Sequence, residues 1–173
     1  MNSFINHFLR FVFLVLFQVF ILNNINLGGY INPNIYILFI LMLPFNTNRL
    51  LLILFGFICG FSIDILSGGI IGIHSASCVL IAYIRPNVIS LISTQRSFET
   101  NSVPSVKDMG FKWFLTYIII LTIIHHLMYF YIEIFSFRDS IYTLIRIFIS
   151  SFFTISLLII SQYIIYIPGK NKK

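Results

Sequence analysis

The chain has 173 residues, of which 58% are hydrophobic and only 9% are charged, whereas soluble domains carry about 25% charged residues. A soluble domain of this length exposes about a third of its unfolded surface, so it cannot hide so many apolar side chains. The net charge of +6 comes from scattered basic residues without the basic block that tracks a nucleic-acid backbone. The composition therefore predicts an integral membrane protein and excludes soluble and nucleic-acid-binding proteins.

Six apolar runs are candidate membrane spans, because a helix needs about 20 residues to cross about 30 Å of hydrocarbon. They lie at residues 4–22, 31–45, 50–66, 70–84, 111–132 and 141–167. The second run is short and contains Pro33 and Pro44, and we expect Arg85 and Pro86 to end the fourth. All six are apolar on every side, which favours helices over barrel strands. The predicted fold class is an all-α integral membrane protein, with about six transmembrane helices in a single domain.

The basic residues predict the orientation, since short loops rich in Lys and Arg stay in the cytoplasm. With both termini inside, the six spans leave a cytoplasmic loop at 85–110, a basic cytoplasmic tail at 168–173, and Arg138 in an outer loop. The basic residues that fall on the cytoplasmic side are Arg10, Arg49, Arg85, Arg96, Lys107, Lys112, Lys170, Lys172 and Lys173. Without the second span, the basic tail 168–173 would lie on the outer face.

Small residues mark the third and fourth spans as a close-packed helical hairpin. Gly56, Gly60 and Asp64 have i, i+4, i+8 spacing, which puts them on one stripe of a helix. The glycines predict close approach of a neighbouring helix. Gly72 and Ala76, with Cys78 and Ala82 on an adjacent stripe, are expected to give the fourth helix a second small-residue face.

Asp64 and His74 are predicted to lie near the outer tip of this hairpin. The carboxylate either caps the turn at 67–69 or pairs with His74, and near the membrane surface it need not be fully desolvated. Both interpretations make Asp64 a packing and recognition feature and not half of a catalytic pair.

The remaining polar residues predict neither a metal site nor an enzyme. His74 has no second ligand at metal spacing, and the adjacent His125 and His126 point about 100° apart on a helix, so they cannot bind one metal from one face. No nucleophile, metalloprotease or phosphate-loop motif is present in the sequence. Arg146 is expected to pair with Glu133 or Asp139.

The hairpin sequence resembles a known family. The run 56–64, then Gly69 to His74 and on to Ala82 and Tyr83, resembles the central signature of MreD, the rod shape-determining membrane protein of bacteria. The six spans, the proline-containing second segment and the basic residue opening the third span also match this family. The high Ile, Phe and Asn content is similar to its Bacteroidetes branch.

The resemblance implies a non-enzymatic subunit of the cell-wall elongation (Rod) complex in the bacterial cytoplasmic membrane. Its implied partners are MreC and, through MreC, MreB, RodA and a penicillin-binding transpeptidase; no cofactor is implied. The residues predicted to serve helix packing or interaction are Gly56, Gly60, Asp64, Gly69, Gly72, His74 and Tyr83.

The MreD family is similar in fold to the substrate-binding subunits of energy-coupling-factor transporters. The alternative function that this implies is a vitamin-type transporter subunit. A transporter needs a polar pocket at mid-membrane depth. The polar residues of this sequence lie mostly near the ends of the spans, which favours the structural subunit.

Overall fold

The structure, a computed structural model, describes residues 2–25, 31–93, 102–135 and 140–165. Within these ranges the chain forms α1 (Asn2–Phe20), α2 (Leu38–Leu41), α3 (Arg49–Ser67), α4 (Ile73–Ile92), α5 (Val106–Met109), α6 (Phe111–Ile134) and α7 (Ser140–Ile165). The same ranges also contain two 3-10 helices, Leu22–Asn24 and Ile35–Ile37. The described ranges contain no β-strand, and the predicted all-α class is confirmed.

Five of these helices, α1, α3, α4, α6 and α7, are long and apolar enough to cross a membrane. Much of each is covered by apolar side chains that face outward, which suits contact with lipid. The protein is therefore a multi-pass membrane protein by the length and composition of its helices.

The second predicted span, residues 31–45, is not one continuous helix. Residues 31–34 have no regular secondary structure, Ile35–Ile37 form a single 3-10 turn, and α2 adds one turn of α-helix that ends before Pro44. Every residue from 35 to 43 is nevertheless buried, so this segment lies in the centre of the bundle. We call residues 31–45 the central segment.

Hydrogen bonds at one end of the bundle define where the central segment starts. The side chain of Asn23, just after α1, donates to the hydroxyl of Ser67 at the end of α3 at 2.9 Å. Helices α1 and α3 therefore end at the same end of the bundle and run parallel. Gln18 holds the beginning of the central segment at this end, because it donates to the carbonyl of Pro33 at 3.0 Å and accepts from the N–H of Ile35 at 2.9 Å.

The central segment finishes at the opposite end of the bundle. The ring of Phe45 packs edge-on against Trp113, in the first turn of α6, with centroids 5.9 Å apart. The segment thus runs the full length of the bundle between the parallel helices α1 and α3. We call the two ends the Asp64 end and the Trp113 end after a residue at each.

The prediction that Arg85 and Pro86 end the fourth helix is wrong, because α4 continues through Pro86 to Ile92. Proline lacks the N–H that would bond to the carbonyl four residues earlier, so the helix loses one hydrogen bond there. Arg85 is also not an interfacial residue of a loop, since it is 1% exposed. The predicted cytoplasmic loop 85–110 accordingly contains the last turns of α4 and the short α5.

Several sequence predictions fall outside the described residues. These are the positions of Arg96, Arg138, Asp139 and the basic tail 168–173.

Candidate functional site

Gly56 and Gly60 lie where α3 meets α4. A β-carbon built on Gly60 would be 2.5 Å from the backbone carbonyl carbon of His74 and from Cα of Ser75, which is far inside contact distance. A β-carbon on Gly56 would be 2.9 Å from the carbonyl oxygen of Cys78. At both positions the two backbones are separated by little more than the glycine hydrogens, and this proximity fixes the hairpin.

Asp64 caps the N-terminus of α4 from the neighbouring helix. One carboxylate oxygen accepts from the backbone N–H of His74 at 3.0 Å, and the other accepts from the N–H groups of Gly72 and Ser75 at 3.0 Å and from the Ser75 hydroxyl. These N–H groups have no partner within α4, and the negative charge complements the positive end of the helix dipole. The carboxylate thus joins the end of α3 to the start of α4.

Two expectations about Asp64 are corrected by this geometry. The carboxylate binds the backbone of His74 and not its ring, and it caps the first turn of α4 and not the turn at 67–69. Asp64 is also only 2% exposed, so it is desolvated although it lies near the end of α3. Hydrogen bonds from protein groups stand in for the water that the charge has lost.

Gly69 and Gly72, both predicted to serve packing or interaction, have no packing neighbour at the β-carbon position. A β-carbon at either position would meet no atom within 4 Å. Gly72 instead has φ +105°, a backbone conformation that other residues rarely adopt, and this turns its N–H toward Asp64. The small residues of α4 that face α3 are Ser75, Cys78 and Ala82, of which Cys78 and Ala82 belong to the predicted small-residue face.

Tyr83 lies on the surface of the bundle and is 50% exposed. The guanidinium of Arg49 stacks over its ring at 4.2 Å and donates to its backbone carbonyl at 3.3 Å. Tyr83 therefore joins the start of α3 to α4 through a cation–π contact and does not pack in the core.

A buried polar cluster occupies the space between the central segment, α4 and α6. The hydroxyl of Tyr36 lies 2.8 Å from Nδ1 of His74 and 3.0 Å from Nε2 of His125. The ring of Tyr129 packs on His74 with centroids 4.9 Å apart and is parallel to His125. One tyrosine of the central segment thus bridges two helices through their histidines.

His126 faces a different neighbour, as its position next to His125 predicts. It contacts the carbonyl of Thr122 at 2.9 Å and the hydroxyl of Thr154 on α7 at 3.2 Å. The same Thr154 hydroxyl accepts from the N–H of Asn34 at 3.0 Å, and Ser150 accepts from the N–H of Asn32 at 3.0 Å. Helix α7 therefore satisfies the irregular backbone at the start of the central segment.

Side chains also satisfy the carbonyls at the other end of the central segment. Tyr117 donates to the carbonyl of Leu41 at 2.9 Å, and Arg85 donates both to the Tyr117 hydroxyl at 2.8 Å and to the carbonyl of Leu43. Irregular backbone at membrane depth is stable only when protein groups replace the missing helix bonds. This explains why a charged residue is retained in the core of an apolar bundle.

Sequence reasoning missed four of these residues. Tyr36, Tyr117 and Gln18 are not among the residues singled out above, and Arg85 was expected at the start of a loop. Gln18 has one available signal, because it is the only strongly polar residue in the apolar run 11–22. An uncharged amide within a span predicts a backbone or side-chain partner.

A cavity of about 330 Å³ opens at the Asp64 end of the bundle. Its wall is formed by Leu22, Asn23, Ile25, Asn32, Pro33, Asn34, Asp64, Ser67, Gly69, Ile70, Ile73, His74, Tyr129 and Glu133. Glu133 forms an ion pair with Arg146 at 3.3 Å, which is one of the two predicted pairings, and Arg146 also stacks on Phe130. The cavity wall therefore contains amides, hydroxyls and carboxylates together with apolar residues.

Within the described ranges, no three His, Cys, Asp or Glu side chains are placed to hold a metal ion together. Cys59 and Cys78 are both buried as free thiols. The polar groups of the bundle serve to join helices to the central segment and to line the cavity.

Fold and site together define an all-α, multi-pass membrane protein with a broken central segment, a buried polar cluster and a polar cavity at one end. No protein-family model matches the chain, and neither a curated protein nor a solved structure is significantly similar to it.

Proposed function

We propose that this protein is a non-enzymatic structural subunit of the bacterial cell-wall elongation machinery, of the MreD type, in the cytoplasmic membrane. The observation that carries the proposal is the α3–α4 hairpin, whose sequence resembles the MreD signature. The acidic residue of the hairpin, Asp64, accepts four hydrogen bonds, and these hold the two helices together. This use of the residue suits a rigid subunit that presents a fixed surface to partners.

The lipid-facing side of the hairpin supports this role. On α3 the residues opposite the glycine contact are large and exposed: Leu54, Phe57, Phe61 and Ile65. The rings of Phe57 and Phe61 are stacked 5.4 Å apart, so they form one continuous apolar ridge. A membrane subunit that acts through helix contacts needs such a surface, and MreC is the partner that we propose.

We propose six membrane crossings with both termini in the cytoplasm, the central segment being the second crossing. Arg49, Arg85, Lys107 and Lys112 all belong to the Trp113 end of the bundle, whereas Arg146 belongs to the Asp64 end. The positive-inside rule then puts the Trp113 end in the cytoplasm.

Two measurements test the function together. The chain is expressed with an affinity tag in rod-shaped bacteria that lack their own MreD, and cell shape and co-purification of MreC are recorded. We expect restored rods and stoichiometric MreC. A chain that is folded and membrane-inserted, yet leaves cells round and binds no MreC, would contradict the proposal.

The cavity at the Asp64 end favours a second candidate, the substrate-binding subunit of a vitamin-type transporter. Transporter sites are typically formed where interrupted helices meet polar groups of neighbouring helices, as the central segment does here. Purification tests this alternative, since it requires tight co-purification of a vitamin-sized compound and of an ATPase pair in place of MreC.

A further inference from the structure

The cavity at the Asp64 end has no uncompensated charge in its wall. Asp64 accepts four hydrogen bonds from the start of α4, and Glu133 is paired with Arg146. Both carboxylates already have donors, so a cation would gain little from them. An anion would be repelled by the two negative charges. The charge balance therefore favours an uncharged occupant.

The wall nevertheless contains polar groups that lack partners. Asn34 is 2% exposed, lines the cavity, and its amide Nδ2 has no hydrogen-bond partner. A buried amide N–H group without a hydrogen-bond partner destabilises the folded protein. Asn34 is thus a donor that a bound molecule with an acceptor oxygen would satisfy.

His74 adds a second group. Its Nδ1 is occupied by Tyr36, and His125, on the other side of Tyr36, has an Nδ1 with no partner. Buried N–H groups without acceptors are rarer than bare acceptors, so we assign the His125 proton to Nε2. His125 then donates to Tyr36 and Tyr36 donates to His74, which leaves His74 with an N–H at Nε2 for a ligand.

The geometry points to a binding site for a neutral polyhydroxyl ring, such as a sugar, in the cavity between Asn34, His74, Tyr129 and Glu133. Hydroxyl oxygens accept hydrogen bonds, so they match the Asn34 and His74 donors. The apolar face of a sugar ring suits the ring of Tyr129 and the wall at Pro33 and Ile70. The volume of about 330 Å³ lies within the range of small-molecule sites, about 300–1,000 Å³.

The ligand chemistry has two possible sources, a free sugar or the sugar headgroup of a membrane glycolipid. The purified full chain is kept in an amine-oxide detergent, because maltoside detergents carry sugar headgroups that would compete. Binding of radiolabelled glucose and of octyl glucoside is then measured by equilibrium dialysis. Octyl dimethylamine oxide is the matched control for the alkyl chain.

We expect saturable binding that weakens about tenfold in Asn34→Ala, as loss of one buried hydrogen bond predicts. Tyr129→Ala is the second variant, which keeps the test decisive if Asn34→Ala fails to fold. Asn87→Ala is the matched control, because Asn87 is an exposed amide on α4 away from the cavity. Binding in this control should equal that of the original chain.

Binding of glucose alone supports a free-sugar site, and binding that requires the alkyl chain of octyl glucoside supports a glycolipid headgroup. The proposal is overturned if neither probe binds to the folded protein. It is also overturned if the Asn34→Ala and Tyr129→Ala variants bind the probes as tightly as the original chain does. The inference does not depend on the elongation function, which is tested separately by cell shape and MreC co-purification.

Discussion

Asp64 illustrates how one residue can join two helices. Its carboxylate lies at the end of α3 and receives three backbone N–H groups and one hydroxyl from the start of α4. Without it, those N–H groups would be buried or half-buried donors with no acceptor. The residue therefore replaces the N-cap side chain that Gly72, at the N-cap position, lacks.

Two replacements of Asp64 should distinguish the contribution of its charge to stability from the contribution of its shape. Asp64→Leu leaves all four donors without an acceptor, whereas Asp64→Asn retains one acceptor oxygen but places an NH2 group against other donors. We expect Leu to lower the free energy of unfolding more than Asn, and Asn to lower it by about 1–3 kcal/mol. Thermal unfolding in detergent measures both changes.

Asp108→Asn is the control for this pair, because Asp108 is exposed on α5. It should unfold like the original chain. If Asp64→Asn remained fully stable but failed to restore rod shape, the charge itself would be required for function and a purely structural role would be excluded.

Tyr117 joins Arg85 to the irregular end of the central segment. Tyr117→Phe removes the donor to the Leu41 carbonyl and the acceptor for the Arg85 guanidinium while keeping the ring. We expect a loss of about 1–3 kcal/mol, since buried polar groups lose their partners. Tyr83→Phe, which keeps the ring under Arg49 at the surface, should be neutral. Equal stability of the two variants would contradict the role of Tyr117.

In the α3–α4 hairpin, backbone contact at the glycines and the Asp64 cap hold the same pair of helices together. The contact tolerates no side chain at Gly60, where a β-carbon would meet the backbone of His74 and Ser75. Backbone atoms cannot rotate away as a side chain can, so the helices themselves must separate.

Substitutions of glycine measure this contact. Gly60→Ala should lower stability by about 1–3 kcal/mol through overpacking, and Gly60→Leu by more. Gly69→Ala is the matched control in the same hairpin, because its β-carbon would meet nothing within 4 Å. Unfolding temperatures in detergent compare the variants. A Gly60→Leu chain with unchanged stability and full MreC binding would refute the proposed packing.

The central segment shows why hydropathy alone misjudges an element. Its residues 35–43 are as apolar as a spanning helix, but its first residues have no regular structure and its single α-helical turn ends at Leu41. The prolines indicated an interruption, yet the form of the interruption depends on Gln18, Thr154, Tyr117 and Arg85, which supply the missing hydrogen bonds.

At the scale of the whole molecule, the direction of the central segment decides which helix ends share a face. Since α1 and α3 run parallel, the Asp64 end gathers the ends of both, and the Trp113 end gathers most of the basic residues within the described ranges. This asymmetry is the basis of the proposed orientation in the membrane.

Single cysteines test that orientation. Gly69→Cys lies at the Asp64 end and Lys107→Cys at the Trp113 end, both at exposed positions. The native Cys59 and Cys78 are fully buried, so they should not react. In intact cells, a membrane-impermeant maleimide should label Gly69→Cys at once and Lys107→Cys only after permeabilisation. The reverse pattern would invert the proposed topology.

The sequence by itself determined the membrane class, the presence of five long apolar helices, and the presence of glycines and an acid on one face of α3. These properties depend on composition and on spacing within one element, which hydropathy and helical period report directly. The tertiary structure alone decided that residues 31–45 form a broken buried segment, that α4 passes through Pro86, and that Tyr36 joins His74 to His125. Tyr36 and His125 are 89 positions apart, and no local pattern reports which distant side chain will satisfy a buried polar group.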